Sequence, residues 1–390
     1  MNRRRSIKMD YESRLSRVRE EMRKRGIGMM FLPFGANLWY LAGVRRQQAH
    51  MTDTNAYGDY ICGAYIGTEG GLTLVAPRMG GAFYRQEADG KPWIDEVRII
   101  NESERPREVL VEVVKSFHLN GKGIMLDDRT WIQSGLEFEH IVPGTKVSLA
   151  SEIVAPMRMV KDADEVKLMQ KVGKITDDVY GEVLSFLRVG VMEYDVAHEI
   201  DRQFSKRGAE YTSFVTGVRF TRPGEGEQIA VRRATNRVLK KGDSVTFDFG
   251  ACCNGYCSDF GRTAFVGEPP AEFRRIHDLV IEAQAAAIEA MVDGRITAAQ
   301  LDREARGMIE RAGYGEGFTH RLGHGIGVTV HEPPFLYPPD ETTLVSGMTF
   351  TVEPSIRLRD SYSCRVEDVV MVTIKGGVPF SNFHKKLTVI

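Results

Sequence analysis

The sequence predicts an α/β domain over roughly the first 150 residues and an α+β domain after it. Three observations predict it. Short apolar runs alternate with amphipathic helical stretches over the first part of the chain. A long helical stretch then follows, after which helices are interleaved with antiparallel strand pairs. The clearest of those pairs is a hairpin closed by Asn254-Gly255.

In chain order, residues 11–25 (YESRLSRVREEMRKR) place Leu15, Val18 and Met22 on one face and stop at Gly26, the pattern of an amphipathic helix. Residues 27–33 read as a buried strand, 60–66, 72–76 and 123–126 as further strands, and 106–117 as a helix. No glycine-rich phosphate loop follows any of these strands, which argues against a nucleotide site. Residues 151–162 read as a turn-like approach to a long helix over 164–187, with Val166, Met169, Val172, Ile175 and Val179 at helical spacing. A second helix, over 193–207, stops at Gly208. The change of pattern places the domain boundary so as to give 1–155 and 156–390. The second domain continues with a strand over 213–218, the hairpin, helices over 270–292 and 298–312, and a strand-rich C-terminal third.

Bulk properties narrow the function. The 390 residues are 42% hydrophobic and 27% charged, as in an ordinary globular protein. With 52 basic and 53 acidic residues the net charge is −1, so no global field recruits nucleic acid or an anionic membrane. The start, MNRRRSIKMDYESR, is basic but has no apolar core and reads as a short solvated tail rather than a secretory signal. No run of 18 apolar residues exists, so no transmembrane helix is expected. Five scattered cysteines (Cys62, Cys252, Cys253, Cys257, Cys364) point to reduced thiols and a cytoplasmic enzyme.

The chemistry centres on 241–263. Residues 244–249 alternate, with Val245, Phe247 and Phe249 on one side and Thr246 and Asp248 on the other. Counting outward from the Asn254-Gly255 turn, Cys253 faces Tyr256, Gly250 faces Asp259 and Asp248 faces Gly261. Asp248 and Asp259 are thus diagonal neighbours on one face, roughly 7–8 Å apart at the backbone. Two carboxylates aimed at one point repel unless a cation lies between them. Cys252 and Cys257 also face each other, but without a CxxC partner they read as buried thiols rather than a zinc site.

Further donors stand in apolar strand contexts downstream. THRLGHGIGVTVHEPPF holds His324 between glycines and His331 seven residues later, while His320 reads as structural. MTFTVEP ends in Glu353, and CRVEDVVMV places Glu367 just ahead of an apolar strand. Each residue alone has an ordinary use, as a core histidine or a strand-end charge. Carboxylates among apolar residues are costly to bury unless paired or metal-bound, and the ordered set of two Asp, one His and two Glu suits a pair of divalent ions such as Mn²⁺, Co²⁺, Fe²⁺ or Zn²⁺.

Asp248, Asp259, His324, Glu353 and Glu367, in that order, resemble the five metal ligands of the methionine aminopeptidase/prolidase/creatinase superfamily, with its pita-bread fold. The aspartate spacing, GHGIG…HEPP, TVEP and RVED are each similar to that family's motifs. YESRLSRVREEM, ANLWYLAG and PMRMVKDADEVKLMQKVGKITDD resemble the N-terminal domain and linker of its creatinase/prolidase/aminopeptidase P branch. The resemblance implies that Asp248 binds one metal, that Asp259 and Glu367 bridge both, and that His324 and Glu353 bind the second. It further implies that water activated by the metals attacks a carbonyl carbon while Glu353 shuttles a proton, His331 holds the substrate carbonyl, and Arg365 orients the region or a substrate carboxylate. It also implies a homodimer in which residues 40–60 of one subunit line the other's pocket.

One departure concerns substrate. Prolidases carry a histidine about seventeen residues before the first aspartate; that position is about Val231 here, and no histidine occurs between 199 and 276. The TNR of QIAVRRATNRVLKKGD resembles the creatinase side, and Arg219, Arg222 and Arg232 are candidates for binding an anionic group. The leading expectation is a dinuclear metallohydrolase cleaving an amide-type C–N bond, with Xaa-Pro dipeptides or small peptides as substrates. The alternative is a small-molecule member of the family: a creatinase-like or ectoine-type hydrolase, or a dimethylsulfoniopropionate lyase. A catalytically inactive binding module ranks third.

Overall fold

The computed structural model describes residues 9–45, 57–224, 233–358 and 361–390. The chain forms two compact units, one within Lys8–Arg158 and one running over Met159–Ile390. Among the described residues, no helix is long and apolar enough to cross a membrane. Val231, Arg232 and all of 46–56, which includes much of the 40–60 stretch expected to line a partner's pocket, lie outside the described residues.

The first unit is built around a six-stranded mixed sheet. Helix α1 (Tyr11–Lys24) is capped by Asp10, whose side chain accepts from the Ser13 N–H, and it buries Leu15, Val18 and Met22. Strand β1 (Ile27–Leu32) is buried along its whole length because it lies inside the sheet. After α2 (Ala36–Ala42) come β2 (Gly63–Gly67), β3 (Leu72–Pro77), α3 (Gly81–Ala88), β4 (Ile94–Ile100), α4 (Pro106–Ser116), β5 (Gly123–Leu126), α5 (Ile132–Ile141), β6 (Val147–Leu149) and α6 (Ser151–Met159). The strand order is β4-β3-β2-β1-β5-β6, with β1 antiparallel to β2 and parallel to β5. Phe31, Tyr65 and Phe138 pack at its centre, with ring centroids 4.8 and 5.5 Å from Phe31.

Two expectations are corrected in this unit. Residues 60–62 are not strand: Asp59–Ile61 makes a 3-10 turn, and pairing starts only at Gly63. The stretch over 151–159 is a helix rather than a turn-like approach. The Ala150 carbonyl accepts from Ile153 and Val154 (3.1 and 2.9 Å) to start it. Burial of Ile153, Val154 and Met157 compensates for the hydrogen bond that Pro156 cannot donate.

The second unit repeats one theme twice, a helix pair laid on an antiparallel sheet. Helix α7 (Ala163–Phe186) opens with a capping box between Asp162 and Glu165 and is followed by α8 (Glu193–Lys206). The strands that follow are β7 (Tyr211–Thr212), β8 (Gly217–Thr221), β9 (Ser244–Phe249), β10 (Ala251–Cys253), β11 (Tyr256–Cys257) and β12 (Phe260–Phe265). Tyr180 of α7 meets Phe247 and Phe260 at 5.3 and 5.2 Å. The second helix pair is α9 (Ala271–Ala290) and α10 (Ala298–Arg311). It packs on β13 (Gly323–Gly325), β14 (Glu332–Leu336), β15 (Thr349–Val352) and β18 (Asp368–Thr373), with β16 (Ser355–Arg357) and β17 (Ser363–Arg365) forming a small ribbon. β19 (Gly376–Pro379) adds to β18, and β20 (Thr388–Val389) adds to β12. The architecture is the α/β plus α+β pita-bread class.

Of the strand expected over 213–218 only the last two residues are paired: β8 begins at Gly217, and 213–216 lie between β7 and β8. Ser213 donates its hydroxyl to the Ser258 carbonyl (2.8 Å) and Thr216 donates to Asp201, so side-chain bonds replace the ladder between β7 and β8. Glu367 stands just ahead of the apolar strand β18, as expected, in the break that separates it from β17. At the break, Glu367 exchanges backbone hydrogen bonds with Gly261 of β12 (2.9 and 3.3 Å), which joins the two sheets.

Candidate metal centre

The site begins with the hairpin. Asn254 (φ 52°) and Gly255 (φ 77°) supply the two left-handed residues of the turn. Cys253 pairs with Tyr256, Cys252 with Cys257, Phe249 with Phe260 and Asp248 with Gly261, the register expected from that turn. Glu367 arrives opposite Gly261. As a result Asp248, Asp259 and Glu367 each offer an oxygen, all within 4.8 Å of one another.

His324 is delivered by β13, whose glycines allow the chain to lie against β15: a Cβ on Gly323 would stand 1.9 Å from the Thr351 carbonyl oxygen. The backbone N–H of His324 donates to Thr351 Oγ1 (3.0 Å), and Nδ1 faces the Gly325 carbonyl at 3.1 Å. That contact assigns the ring proton to Nδ1 and leaves Nε2 as the free lone pair. Nε2 lies 3.4 Å from Glu353 Oε1 and 3.6 Å from Asp259 Oδ2. Glu353 directly follows β15 and accepts from Thr351 Oγ1 (3.0 Å). Arg365 of β17 contacts Asp248 at 2.8 Å and both Glu353 and Glu367 at 3.6 Å. The His331 ring stands 4.2 Å from that of His324, at 67° to it. The seven residues given metal-binding or catalytic roles in the sequence analysis all line one cavity of about 720 Å³.

Electrostatics explain what such a cluster requires. Burial, then the charges of Asp248 and Glu353, hold the Asp259 carboxyl well above its ordinary range. Burial, then Asp259 and Glu353, do the same to Glu367. Burial pushes His324 and His331 down to about 4, so both imidazoles are neutral at pH 7. Burial opposes the charge on Arg365, but Asp248, Glu353 and Glu367 outweigh it and hold the guanidinium protonated. Asp259 Oδ1 and Glu367 Oε2 are buried without a hydrogen-bond partner among the described residues. Orphaned carboxylate oxygens beside a neutral imidazole are an oxygen-rich, hard donor set, and they fit divalent cations.

Sequence reasoning missed part of the cavity wall. His320, read as structural, lines it, with its ring nitrogens 2.6 Å from the Arg321 carbonyl and Ser355 Oγ. Arg222 is forked onto buried Asp243 (2.5 and 2.6 Å), so it is not available to a ligand, and Arg219 does not line the cavity. Arg233 does line it, beside Arg321, Phe214 and Tyr337. The only signal for Arg233 was its place in VRRATNR, ahead of β9. The cysteines are buried thiols apart from the carboxylate cluster.

Both parts of the chain match known protein families. The description of metallopeptidase family M24 matches residues 167–374, and that of the Creatinase/Prolidase N-terminal domain matches 14–160. A putative dipeptidase, YkvY, of Bacillus subtilis is 30% identical over 379 residues, covering 97% of this chain and all of that protein. A Xaa-Pro dipeptidase of Pyrococcus furiosus is 34% identical over 238 residues, 60% of this chain and 67% of the relative. The crystal structure of a prolidase from Thermococcus sibiricus superimposes with a TM-score of 0.87 at 31% identity, covering 98% of this chain and 100% of that one.

Proposed function

The chain belongs to metallopeptidase family M24, an enzyme family that works with divalent metal ions, and from that footing we propose that it is a dinuclear Xaa-Pro dipeptidase. The observation that carries the reading is the meeting of Asp248, Asp259 and Glu367 within 4.8 Å, two of them with orphaned buried oxygens, in a cavity that also holds His331. Asp248 would hold one ion, Asp259 and Glu367 both, and His324 and Glu353 the second. The oxygen-rich set suits Mn²⁺. Bound ions supply Lewis acidity and lower the pKa of water.

The chain's own groups do the rest. Neutral His331 donates its N–H to the carbonyl oxygen of the scissile bond as negative charge grows there. Glu353, beside the cluster, takes a proton from the attacking water and delivers it to the leaving nitrogen. Arg365 fixes the carboxylates against their mutual repulsion, a task suited to its rigid fork. The active unit is proposed to be a homodimer, checked by sedimentation.

A small-molecule substrate is the second reading, favoured by the absence of a histidine between 199 and 276 and by Arg233 on the cavity wall. Metal analysis combined with a substrate panel tests both: Xaa-Pro dipeptides, creatine, ectoine and dimethylsulfoniopropionate. Two ions per chain and turnover of proline dipeptides are expected. A protein that holds no divalent metal after reconstitution overturns the mechanism, and a metallated protein that ignores proline peptides transfers the assignment to the second reading.

A further inference from the structure

Successive side chains of a strand point to opposite sides, so the strands that present the carboxylate cluster carry a second set of residues behind it. Arg262 follows Gly261 on β12, and Asp368 follows Glu367 at the start of β18; neither lines the cavity. They meet in an ion pair of 2.6 Å whose side chains are only 3% and 1% exposed. Burial works against the charge on Asp368, but Arg262 and Lys385 outweigh it and hold the carboxyl below its ordinary range.

Arg262 also grips the backbone. Its Nη1 donates to the carbonyls of Gly261 (2.8 Å) and Glu367 (2.6 Å), the two residues whose backbone groups bond to each other across the seam between the sheets. Nη2 donates to Asp368 (2.6 Å) and to the Phe383 carbonyl (3.1 Å), and Nε to the His384 carbonyl (3.4 Å). All five N–H donors of the fork are thus used within the chain.

Gln284 of α9, wholly buried, reaches the same place from the helix side. Its amide nitrogen donates to the carbonyls of Val352 (2.9 Å) and Val366 (3.3 Å) and to Asp368 Oδ2 (3.1 Å). Val352 directly precedes Glu353, and Val366 directly precedes Glu367.

Stability alone is a poor reason for such a network, since apolar side chains of the same volume serve as well as a buried ion pair. Fixed backbone geometry is a better one. Asp259, Glu353 and Glu367 repel one another, and the strands that carry them must be held together before any cation arrives. Every carbonyl gripped from behind belongs to Glu367, to a residue adjoining Glu353 or Glu367, to Gly261 opposite Glu367, or to the segment that also brings Lys385 to Asp368.

We infer that Arg262, Asp368 and Gln284 are positioning residues that hold Glu353 and Glu367 at the spacing needed for tight cation binding. The inference rests on the metal reading above.

The test reads Mn²⁺ affinity of the full chain by competition with a chelator. Arg262→Lys keeps the charge, but one ammonium cannot span both carbonyls and Asp368. Gln284→Met keeps the volume and loses the donor. Each is expected to bind Mn²⁺ about ten- to a hundredfold more weakly than wild type. Ile309→Ala, a cavity variant in the apolar core of α10, lowers stability without touching the network and is expected to keep wild-type affinity. Wild-type affinity in either network variant, or an equal loss in Ile309→Ala, overturns the inference. Should Arg262→Lys fail to fold, Gln284→Met alone decides. If the wild-type chain takes up no Mn²⁺, the metal reading fails separately. The network is then read by hydrogen exchange: Gly261 and Glu367 amides that exchange about tenfold faster in the variants support it, and unchanged protection refutes it.

Discussion

Lys161 Nζ and Glu332 Oε1 form an ion pair of 2.7 Å whose side chains are only 2% and 4% exposed. Thr329 also donates to Glu332, at 3.2 Å, and Glu332 directly follows His331. The pair thus ties the residue that opens β14 to the segment just ahead of α7.

Removing one partner leaves the other charge buried and uncompensated. Lys161→Met is expected to cost about 3–5 kcal/mol in urea unfolding, and Lys161→Met with Glu332→Met to recover most of that. A loss below about 1 kcal/mol for the single variant would show that Glu332 is hydrated or protonated in solution.

Asp259→Asn should act in opposite directions with and without metal. Raised carboxyl pKa values mean that the stabilising protonated state is complete at low pH and is lost as pH rises beyond the ordinary carboxylate range. Chelated protein should therefore be less stable at alkaline than at mildly acidic pH through these two groups. In chelated protein the amide removes one repelling charge and should raise the melting temperature by roughly 2–4 °C per kcal/mol regained. In reconstituted protein it should abolish metal retention and turnover. An unchanged metal content by elemental analysis would exclude Asp259 as a ligand.

Gly261 leaves room for Glu367. A Cβ there would come within 2.8 Å of Glu367 Oε2 and of Arg365 Cδ. Gly261→Ala is expected to weaken metal binding by about ten- to a hundredfold, the usual effect of disturbing a ligand's support, as read by competition with a chelator. Wild-type affinity in the variant would mean that the two strands separate freely at this point.

His277 of α9 takes no part in the site yet carries a pH dependence of its own. It is almost wholly buried, and its Nδ1 has no partner among the described residues. Burial, partly opposed by Asp278, lowers its pKa to about 4. The unfolded chain, with a histidine pKa near 6.5, takes up the proton first. Stability is therefore complete above about pH 6.5 and falls by about 3 kcal/mol as pH drops towards 4. The difference in unfolding free energy between wild type and His277→Gln, followed across that window, should trace the loss; a constant difference would show that the ring protonates freely in the fold.

What the sequence disclosed follows from how local the governing force is. The Asn254-Gly255 turn sets the pairing of its own strands, so the positions of Asp248 and Asp259 could be counted from it. Buried strands and amphipathic helices such as β1, α1, α7 and α9 were legible because periodicity reports burial directly. The helix over 151–159 was hidden by Pro156, and strand character over 213–216 was lost to hydroxyl bonds with Ser258 and Asp201, partners distant in sequence. Among the arginines, nothing in the sequence tells Arg222, pinned to Asp243, from Arg233, open to the cavity. That distinction is made by tertiary neighbours alone.

The turn at Asn254-Gly255 also orders events in time. It joins Asp248 to Asp259 across eleven residues, whereas Glu367 must be brought in from 108 residues beyond Asp259. Closing the short loop is fast and local, and closing the long one waits for α9, α10 and their sheet. A refolding chain therefore possesses a two-aspartate chelate well before it possesses an enzyme. Cations present during refolding would meet that early, weak site first and be passed on as Glu367 docks against Gly261.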